Sequence, residues 1–308
     1  MKNLLISISP HIHTRNDTRR VMLDVLIALM PALVAATVIF GTGALLRCAF
    51  SVIACVLLEF LWNKLMKKEQ TVNDLSAAVT GLLLAFNVPA NLPYWELLVG
   101  CVIAIVIVKM LFGGLGCNFV NPALVGRVAL MVSFPADMTS YMTSVAKTDI
   151  LTGATPLAVA DRLGGSDFMT LLLGQHGGVL GETCALALLI GGAYLIVRKV
   201  IKPIIPLCFM GSCALFTFLF GGAAPLMSLF AGGMMLGSIF MATDYVTSPI
   251  TDKGKVIFGL GCGFLAACIR CFASAAEGVS FAILLMNLLV PYINEGTRTK
   301  PLGGIEVK

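Results

Sequence analysis

The chain has 308 residues, of which 58% are hydrophobic and 12% are charged, and it carries a formal net charge of +5. An ordinary soluble domain has about a quarter charged residues, so this composition excludes a water-soluble globular protein and favours a membrane protein. The cations lie in short loops beside apolar runs, where they set topology, and we expect no nucleic-acid partner.

The first twenty residues differ from the rest of the chain. They contain Pro10, His11, His13, Arg19 and Arg20 and have no long apolar core. A secretory signal needs such a core ahead of a small-residue cleavage site. We therefore expect residues 1–20 to form a cytoplasmic N-terminal arm.

The remaining sequence predicts an all-α integral membrane protein. Its apolar runs are close to the roughly 20 residues that cross a bilayer, and they indicate about ten transmembrane helices. The runs lie near residues 21–41, 43–63, 73–88, 95–114, 120–135, 178–198, 203–221, 225–243, 254–271 and 279–295. The third and the fifth are short and rich in small residues.

Lysine and arginine predict the orientation of this bundle. Most of the 21 cations fall in the arm, in alternate loops and in the tail, and cationic loops stay in the cytoplasm. Both termini are then cytoplasmic in a multi-pass protein of the cell membrane. The predicted order is arm 1–20, five-helix repeat 21–135, extracytoplasmic loop 136–177, five-helix repeat 178–295 and cytoplasmic tail 296–308.

Five spans in each half would invert the second half relative to the first, as inverted-repeat membrane folds require. Weak internal similarity supports this prediction. A Gly/Ala-rich span is followed by a break at residues 87–89 in the first half, and a Gly-rich span by a break at residues 247–249 in the second. We therefore expect a five-plus-five inverted repeat with broken helices.

Charged residues inside apolar spans are expensive and are functional candidates. Asp244 lies beside the break at 247–249, where helix ends and free carbonyls can coordinate a cation. Glu59 lies deeper in its helix, and one alternative is a simple pair with Lys64. We predict Asp244 and Glu59 as residues of an ion pathway.

A polar block separates the fourth and fifth spans. Its glycines Gly113, Gly114 and Gly116 predict close helix approach, and they do not form a nucleotide loop because the G-x-G-x-x-G pattern after a strand is absent. Asn118 and Asn121 are either ligands or helix caps.

No metal site is predicted within the chain. His11, His13 and His176 lack metal-ligand spacing, and Cys268 with Cys271 forms a C-x-x-C pair. An iron–sulfur cluster normally needs four thiolates, so packing inside the span is favoured. Completion of a site by another subunit stays open.

The outer loop contains the sequence Asp149, Ile, Leu, Thr152, Gly153, Ala154, Thr155 and Pro156. It resembles the D-x-x-[S/T]-G-A-T sequence on which flavin transferases esterify FMN to a threonine. Thr155 supplies the hydroxyl, the two small residues before it allow close approach, and Asp149 is the acid that the pattern requires. A turn before a helix, with Thr155 as its cap, is the alternative.

Arg127 is a further candidate for the flavin site. It follows the Asn-Pro-Ala-Leu block that begins at Asn121. A guanidinium can bind a flavin phosphate through two hydrogen bonds. The alternative is an interhelical tie to a carbonyl or a carboxylate.

The resemblance extends over nearly the whole chain. Ser9-Pro10-His11, the run Ala28 to Pro31 and the block from Phe112 to Arg127 resemble a family of redox-pump subunits. The family comprises the D subunit of the Rnf complex (ferredoxin:NAD oxidoreductase) and the B subunit of the sodium-translocating NADH:quinone oxidoreductase. The quinone-reductase protein has an N-terminal extension, so the compact length is closer to that of the Rnf protein.

This resemblance implies a membrane electron-transfer subunit that carries covalent FMN on Thr155 and is inactive alone. It implies partners in an Rnf complex, among them an extracytoplasmic FMN subunit and membrane iron–sulfur subunits, a flavin transferase for maturation, and coupling to sodium or proton movement. A second, non-covalent flavin such as riboflavin is also implied, without residues to hold it. A small-solute channel or transporter of inverted-repeat fold is the alternative function.

Overall fold

The computed structural model describes residues 17–141, 172, 174, 178–182, 184–221, 227–230, 232–273 and 278–298. Within these ranges every regular element is helical, which confirms the all-α prediction for this part of the chain. The predicted attachment residues Asp149, Thr152, Gly153, Ala154 and Thr155 lie outside the described residues.

The helices are numbered here in chain order. They are α1 (Thr18–Phe40), α2 (Thr42–Leu65), α3 (Ser76–Phe86), α4 (Tyr94–Val102, continued by a π-helix at Ile103–Met110), α5 (Pro122–Ser133), α6 (Pro135–Met138), α7 (Ala185–Val197), α8 (Ile204–Leu219), α9 (Met234–Leu236, continued by a π-helix at Gly237–Met241), α10 (Asp252–Phe272) and α11 (Gly278–Gly296). Short 3₁₀ turns lie at Val72–Asp74 and Met227–Phe230.

Four helices in the described part of the chain are long and apolar enough to cross a membrane, namely α1, α2, α10 and α11. The helices α3, α5, α7 and α8 are apolar but shorter. Each of the ten predicted runs overlaps helical structure. The protein therefore belongs to the helical membrane class, with several helices that end before a full crossing.

Helix α3 illustrates how a short helix persists in an apolar layer. All of its residues from Ser76 to Phe86 are buried, with α2 against one side and α5 against another. Helix ends inside a membrane leave unsatisfied backbone groups, which are tolerated only where protein encloses them. Because protein encloses α3, the helix can end at Asn87 inside the apolar layer.

Glycine allows the closest helix contacts. A β-carbon on Gly191 of α7 would overlap the backbone oxygen of Ala28 on α1, and one on Gly263 of α10 would overlap Ser212 and Phe209 on α8. Small residues at such crossings let backbones approach, and dispersion then stabilises the helix pair. The pairs α1–α7 and α8–α10 are both held in this way.

The role predicted for Gly113, Gly114 and Gly116 is wrong. Their φ angles are 119°, 95° and 88°, and a β-carbon at Gly114 or Gly116 would meet nothing within 4 Å. These glycines permit a left-handed backbone in the turn after the first π-helix, because a side chain is disfavoured there. Helix contact does not require them.

The glycine contact gives a first prediction. Gly191→Ala should destabilise the protein by about 1–3 kcal/mol, the usual range for overpacking a filled interior, because α7 must move away from α1. Thermal unfolding of the purified protein in detergent measures this effect.

Gly211→Ala is the matched control. Gly211 is also within a helix, but a β-carbon there would meet nothing within 4 Å. We expect an unchanged or slightly raised melting temperature, since alanine favours the helix. Equal losses in both variants would contradict the packing argument.

Candidate functional site

A buried ion pair joins two distant parts of the first half. The Nζ of Lys109, in the π-helix after α4, lies 2.7 Å from Oε2 of Glu59 on α2, and their side chains are 3% and 0% exposed. Removing two charges from water costs several kcal/mol per ion, so such a pair persists only where further hydrogen bonds satisfy it. Glu59 is thus a fully buried residue in an ion pair, and its role in an ion pathway stays a prediction.

Hydroxyl groups complete the coordination of this pair. Lys109 Nζ also donates to Ser76 Oγ at 2.5 Å, and Ser76 in turn donates to Asp74. The Thr71 hydroxyl donates to Oε1 of Glu59 at 2.5 Å, and Asn63 donates to Thr71. We call these six residues the ion-pair network: Glu59, Asn63, Thr71, Asp74, Ser76 and Lys109.

The network corrects the suggested pairing of Glu59 with Lys64. Residues five positions apart on a helix point in different directions, whereas positions three or four apart share a face. Glu59 is buried against the interior and Lys64 is exposed. The partner comes instead from a position fifty residues later in the chain.

The π-helix explains how Lys109 reaches this position. Leu111 donates its amide to the carbonyl of Val106, five residues back, at 3.0 Å. Each such turn contains more residues than an α-turn, so the direction of every later side chain changes. Short π-helices often occur at functional sites, and this one directs the only cation of an apolar run inward.

A second cluster, formed by Asn87, Asn121 and Arg127, links the two halves of the chain through Met241 and Asn287. Arg127 Nη1 on α5 donates to Oδ1 of Asn87 at 2.7 Å, and Asn87 donates to the carbonyl of Leu83. Arg127 is buried and makes further contacts. The interhelical tie suggested for Arg127 is therefore present, through an amide oxygen, and its contact with a flavin phosphate stays a prediction.

Asn121 caps α5, as one of its two suggested roles requires. Its side-chain oxygen accepts from the amides of Ala123 and Leu124, and its nitrogen donates to the carbonyl of Met241 at 3.3 Å. With its amide group suitably oriented, Asn287 on α11 accepts from the backbone amide of Asn121 and donates to the carbonyl of Thr247. These contacts supply hydrogen bonds to backbone amides and carbonyls at helix ends in both halves of the chain.

A cavity opens between these two clusters. It is bounded by the first turns of α1, by α3 and α5, by the end of α7 and by the segment after the second π-helix. Most of its wall is apolar, including Val79, Leu83 and Phe240. Its polar lining residues in the described part of the chain are Ser76, Thr80, Lys109, Asn118, Asn121, Thr243, Asp244 and Tyr245.

Asp244 lies in the wall of the same cavity and comes from the other half of the chain than Lys109. Its carboxylate accepts from the Thr247 hydroxyl at 3.2 Å. Burial raises the pKa of this carboxyl group, and hydrogen bonds from the Val246 amide and the Thr247 hydroxyl partly oppose the increase. The structure thus brings Asp244 to the cavity and places Glu59 behind Lys109, with Arg127 in the neighbouring cluster.

Comparison with known proteins shows which family this chain belongs to. The sequence matches the profile of the NQR2, RnfD, RnfE family over residues 5–303. The chain belongs to this family. It is 46% identical to the D subunit of the Na(+)-translocating ferredoxin:NAD(+) oxidoreductase complex of Acetobacterium woodii, covering 99% of this chain and 97% of that protein.

Two other relatives differ in the ion that their names specify. The chain is 39% identical to the D subunit of the proton-translocating ferredoxin:NAD(+) oxidoreductase complex of Clostridium ljungdahlii, covering 98% of this chain and 97% of that protein. It is 35% identical to the D subunit of the ion-translocating oxidoreductase complex of Escherichia coli K12, covering 97% of this chain and 98% of that protein. Family membership therefore leaves the choice between sodium and protons open.

Sequence reasoning missed several residues of the site. Lys109 could have been found, because it interrupts an apolar run, but Thr71 and Ser76 carry no signal in the sequence. Cys268 and Cys271 are half-buried on α10, and no group of three or more metal-ligating side chains occurs among the described residues. A ligand supplied by another subunit at these cysteines stays a prediction.

The buried pair predicts a specific stability pattern. Lys109→Met or Glu59→Gln should each cost about 3–5 kcal/mol, because either change leaves one buried member of the pair without its partner. The double variant should regain much of this loss, since it contains neither charge. Thermal unfolding in detergent provides the measurement.

Lys202 and Asp252 provide the control pair. Their charged atoms lie 2.6 Å apart, but both side chains are 58% exposed. Because water solvates exposed ions, Lys202→Met should leave the melting temperature almost unchanged. A double variant at Glu59 and Lys109 that is no more stable than its single variants would contradict the analysis.

Proposed function

We propose that this chain is the D subunit of an ion-translocating ferredoxin:NAD oxidoreductase complex, a membrane electron-transfer subunit with covalent FMN on Thr155. The observation that carries the proposal is the near-complete coverage of relatives whose names specify that subunit. The chain works with other subunits, including an extracytoplasmic flavoprotein and membrane iron–sulfur subunits. A flavin transferase attaches the FMN.

The proposed topology has ten spans in a five-plus-five inverted repeat, with both termini in the cytoplasm. Two contacts support it. Helix α1, first in its half, packs on α7, first in the other half, and α5 packs on α11, the last of each half. A two-fold axis between inverted halves brings equivalent helices together in this way. The proposed domains are the arm 1–20, the first repeat 21–135, the extracytoplasmic loop 136–177, the second repeat 178–295 and the tail 296–308.

The cavity is proposed to hold the second, non-covalent flavin. Flavins combine an apolar ring with a polar edge, and ligand sites combine apolar walls with a few placed polar groups. The side chains of Asn118, Thr80 and Lys109 offer hydrogen bonds beside the apolar surface formed by Val79 and Phe240. These residues offer donors of the kind that the polar edge of a flavin binds, and the group would supply one-electron redox chemistry when bound.

The protein's own contribution at this cavity is electrostatic. Lys109 holds a positive charge at the wall, where it favours any negative charge that develops inside. Asn121 fixes α5 through its cap, and α3 excludes lipid and water from one side because it is buried along its length. An apolar enclosure strengthens each of these interactions.

The covalent flavin is tested by substitution of its acceptor. In a host with the flavin transferase, the denatured wild-type polypeptide should fluoresce in the gel under ultraviolet light, because a phosphoester survives denaturation. Thr155→Ala should remove the band, since no hydroxyl remains to form the ester. Thr155→Ser should retain part of it.

Thr148→Ala is the matched control in the same segment, and it should stay fluorescent. Fluorescence that persists in Thr155→Ala would move the attachment site elsewhere. A wild-type chain with no covalent flavin, taken from its assembled complex, would favour the alternative, a small-solute channel or transporter, for which a buried ion pair beside a cavity is equally suitable.

The non-covalent flavin is tested by extraction with acid. Asn118→Leu keeps a similar side-chain volume but removes the amide, and losing one or two hydrogen bonds should weaken flavin binding about tenfold. Acid-extractable flavin per polypeptide, measured after washing the purified complex, is the readout. Gel fluorescence at Thr155 shows that the variant still receives its covalent flavin.

Asn91→Leu is the control for this change. Asn91 bonds to Ser140 and does not line the cavity, so extractable flavin should stay at the wild-type level. Unchanged flavin in Asn118→Leu, or no extractable flavin in the wild-type complex, would refute the assignment of this cavity.

A further inference from the structure

Two carboxyl groups meet beside the start of α4. Glu96, in the first turn of this helix, is hydrogen-bonded through its side chain to Asp137 in the first turn of α6. Glu96 is 2% exposed, whereas Asp137 is exposed. In the proposed topology both residues lie on the extracytoplasmic side. Two carboxylates this close repel each other unless a proton or a cation lies between them.

Two buried oxygen atoms in this region accept no hydrogen bond from any described residue. They are Oε2 of Glu96 and Oδ1 of Asn91. The Asn91 amide nitrogen donates to Ser140 Oγ at 2.7 Å, and Ser140 donates to the carbonyl of Asp137, so Asn91 is attached to the same segment. A buried acceptor without a donor carries its full desolvation cost, and one bound cation removes that cost from several oxygens at once.

The start of α4 does not provide a donor for Glu96. A glutamate at the third position of a helix often accepts from the backbone amide of the capping residue. The capping residue here is Pro93, which has no N–H group. The positive end of the helix dipole favours a negative charge at this place, but Oε2 of Glu96 is still without a donor among the described residues.

Arg47 approaches the same end of α4 but is bonded elsewhere. Its guanidinium donates to the carbonyls of Leu92 and Gly43 and lies over the ring of Tyr94, 5.3 Å from the ring centre. None of the ion pairs found in the described part of the chain includes Glu96 or Asp137. The positive charge that balances these carboxylates therefore comes from solution.

We propose that Glu96, Asp137 and Asn91 form a calcium site that ties the start of α4 to α6. Two carboxylates and an amide carbonyl are ligands that calcium takes in proteins, and water completes the coordination on the exposed side. The set has two acidic side chains and one amide, so it differs from a group of three His, Cys, Asp or Glu side chains, which the described residues do not contain.

The open side of the site favours calcium over magnesium. Magnesium requires a nearly ideal octahedron and loses its water reluctantly, whereas calcium accepts irregular sets of six to eight oxygens. Extracellular calcium sites have dissociation constants of about 10⁻⁴–10⁻³ M, and we expect an affinity in this range because only two ligands are charged.

Bound calcium would strengthen an existing contact at the start of the proposed outer loop. Trp95 packs edge-to-face on Phe134 with ring centroids 5.1 Å apart, and α6 packs on α5. The cation adds a polar tie between α4 and α6 beside this aromatic pair. The inference does not depend on a flavin.

Terbium luminescence tests the location of the site. Terbium replaces calcium at oxygen sites and emits light when a nearby tryptophan is excited, and the residue next to Glu96 is Trp95. The other of the two tryptophans, Trp62, lies fifteen residues beyond Arg47 on α2, about 22 Å along the helix. The full-length chain, purified in detergent and freed of calcium with a chelator, should show emission that calcium displaces. Trp95→Phe should lose most of this emission and keep calcium binding.

Thermal unfolding of the same preparation measures the affinity. Calcium should raise the melting temperature progressively above its dissociation constant, whereas magnesium or sodium at the same concentration should not. Glu96→Gln and Asp137→Asn should each weaken calcium binding at least about tenfold, because affinity follows the number of charged ligands. Asn91→Leu should weaken it less, since it removes a neutral ligand.

Glu69→Gln is the matched control, because it removes an exposed carboxylate in the turn after α2, and its response to calcium should equal that of the wild type. If Glu96→Gln does not fold, Asp137→Asn decides, since Asp137 is exposed. A wild type that does not respond to calcium would overturn the inference and leave a shared proton between the carboxyl groups. An equal response to magnesium or sodium, or an undiminished response in Asp137→Asn, would also overturn it. None of these measurements uses a flavin, so their failure is distinct from a failure of the proposed function.

Discussion

Broken helices inside an apolar layer impose the main constraint on this structure. Lipid offers no hydrogen bonds to a helix end, so each interruption must be satisfied by protein. The chain meets this requirement with asparagine: Asn87 at the end of α3, Asn121 at the start of α5 and Asn287 on α11. Because Arg127 and Met241 join the same cluster, the breaks of the two halves stabilise one another.

Enclosure of the breaks also creates the site. Helices that end early leave space between the halves, and the cavity occupies it, with Asn118 and Asn121 in its wall. Asn121 combines two positions, since its side-chain oxygen caps α5 while the residue lines the cavity. The two roles suggested for Asn121 from the sequence, helix cap and ligand, are therefore compatible in one residue.

Sequence reasoning succeeded where a single local rule decides the structure. Apolar length predicted the long helices such as α1 and α2, and the suggested role of Asn121 as a helix cap agrees with the start of α5 at Pro122. It failed where two rules compete. Gly113, Gly114 and Gly116 are consistent with close packing and with a left-handed turn, and only the observed φ angles separate these possibilities.

The partner of Glu59 could not be predicted from the sequence, for a different reason. Fifty residues separate it from Lys109, and the π-helix changes the direction in which Lys109 points, so no helical period applied to the sequence predicts the contact. Lys64 was the nearest cation in sequence, yet it faces away. The residues that complete the pair, Thr71 and Ser76, are common polar residues in a turn and at a helix start. Only the folded chain gives them a role.

The two π-helices connect these observations to function. One supplies Lys109 to the cavity, and the other supplies Phe240 to it and the Met241 carbonyl to Asn121. Each half therefore contributes a helix with an irregular register to the same cavity. An α-helix in either place would rotate these side chains away, since one residue fewer per turn changes their direction by about 100°. The irregular register, although weaker in its hydrogen bonding, brings a buried cation and an aromatic ring from opposite halves to the wall of one cavity. A π-helix at the cavity in each half agrees with the frequent occurrence of short π-helices at functional sites.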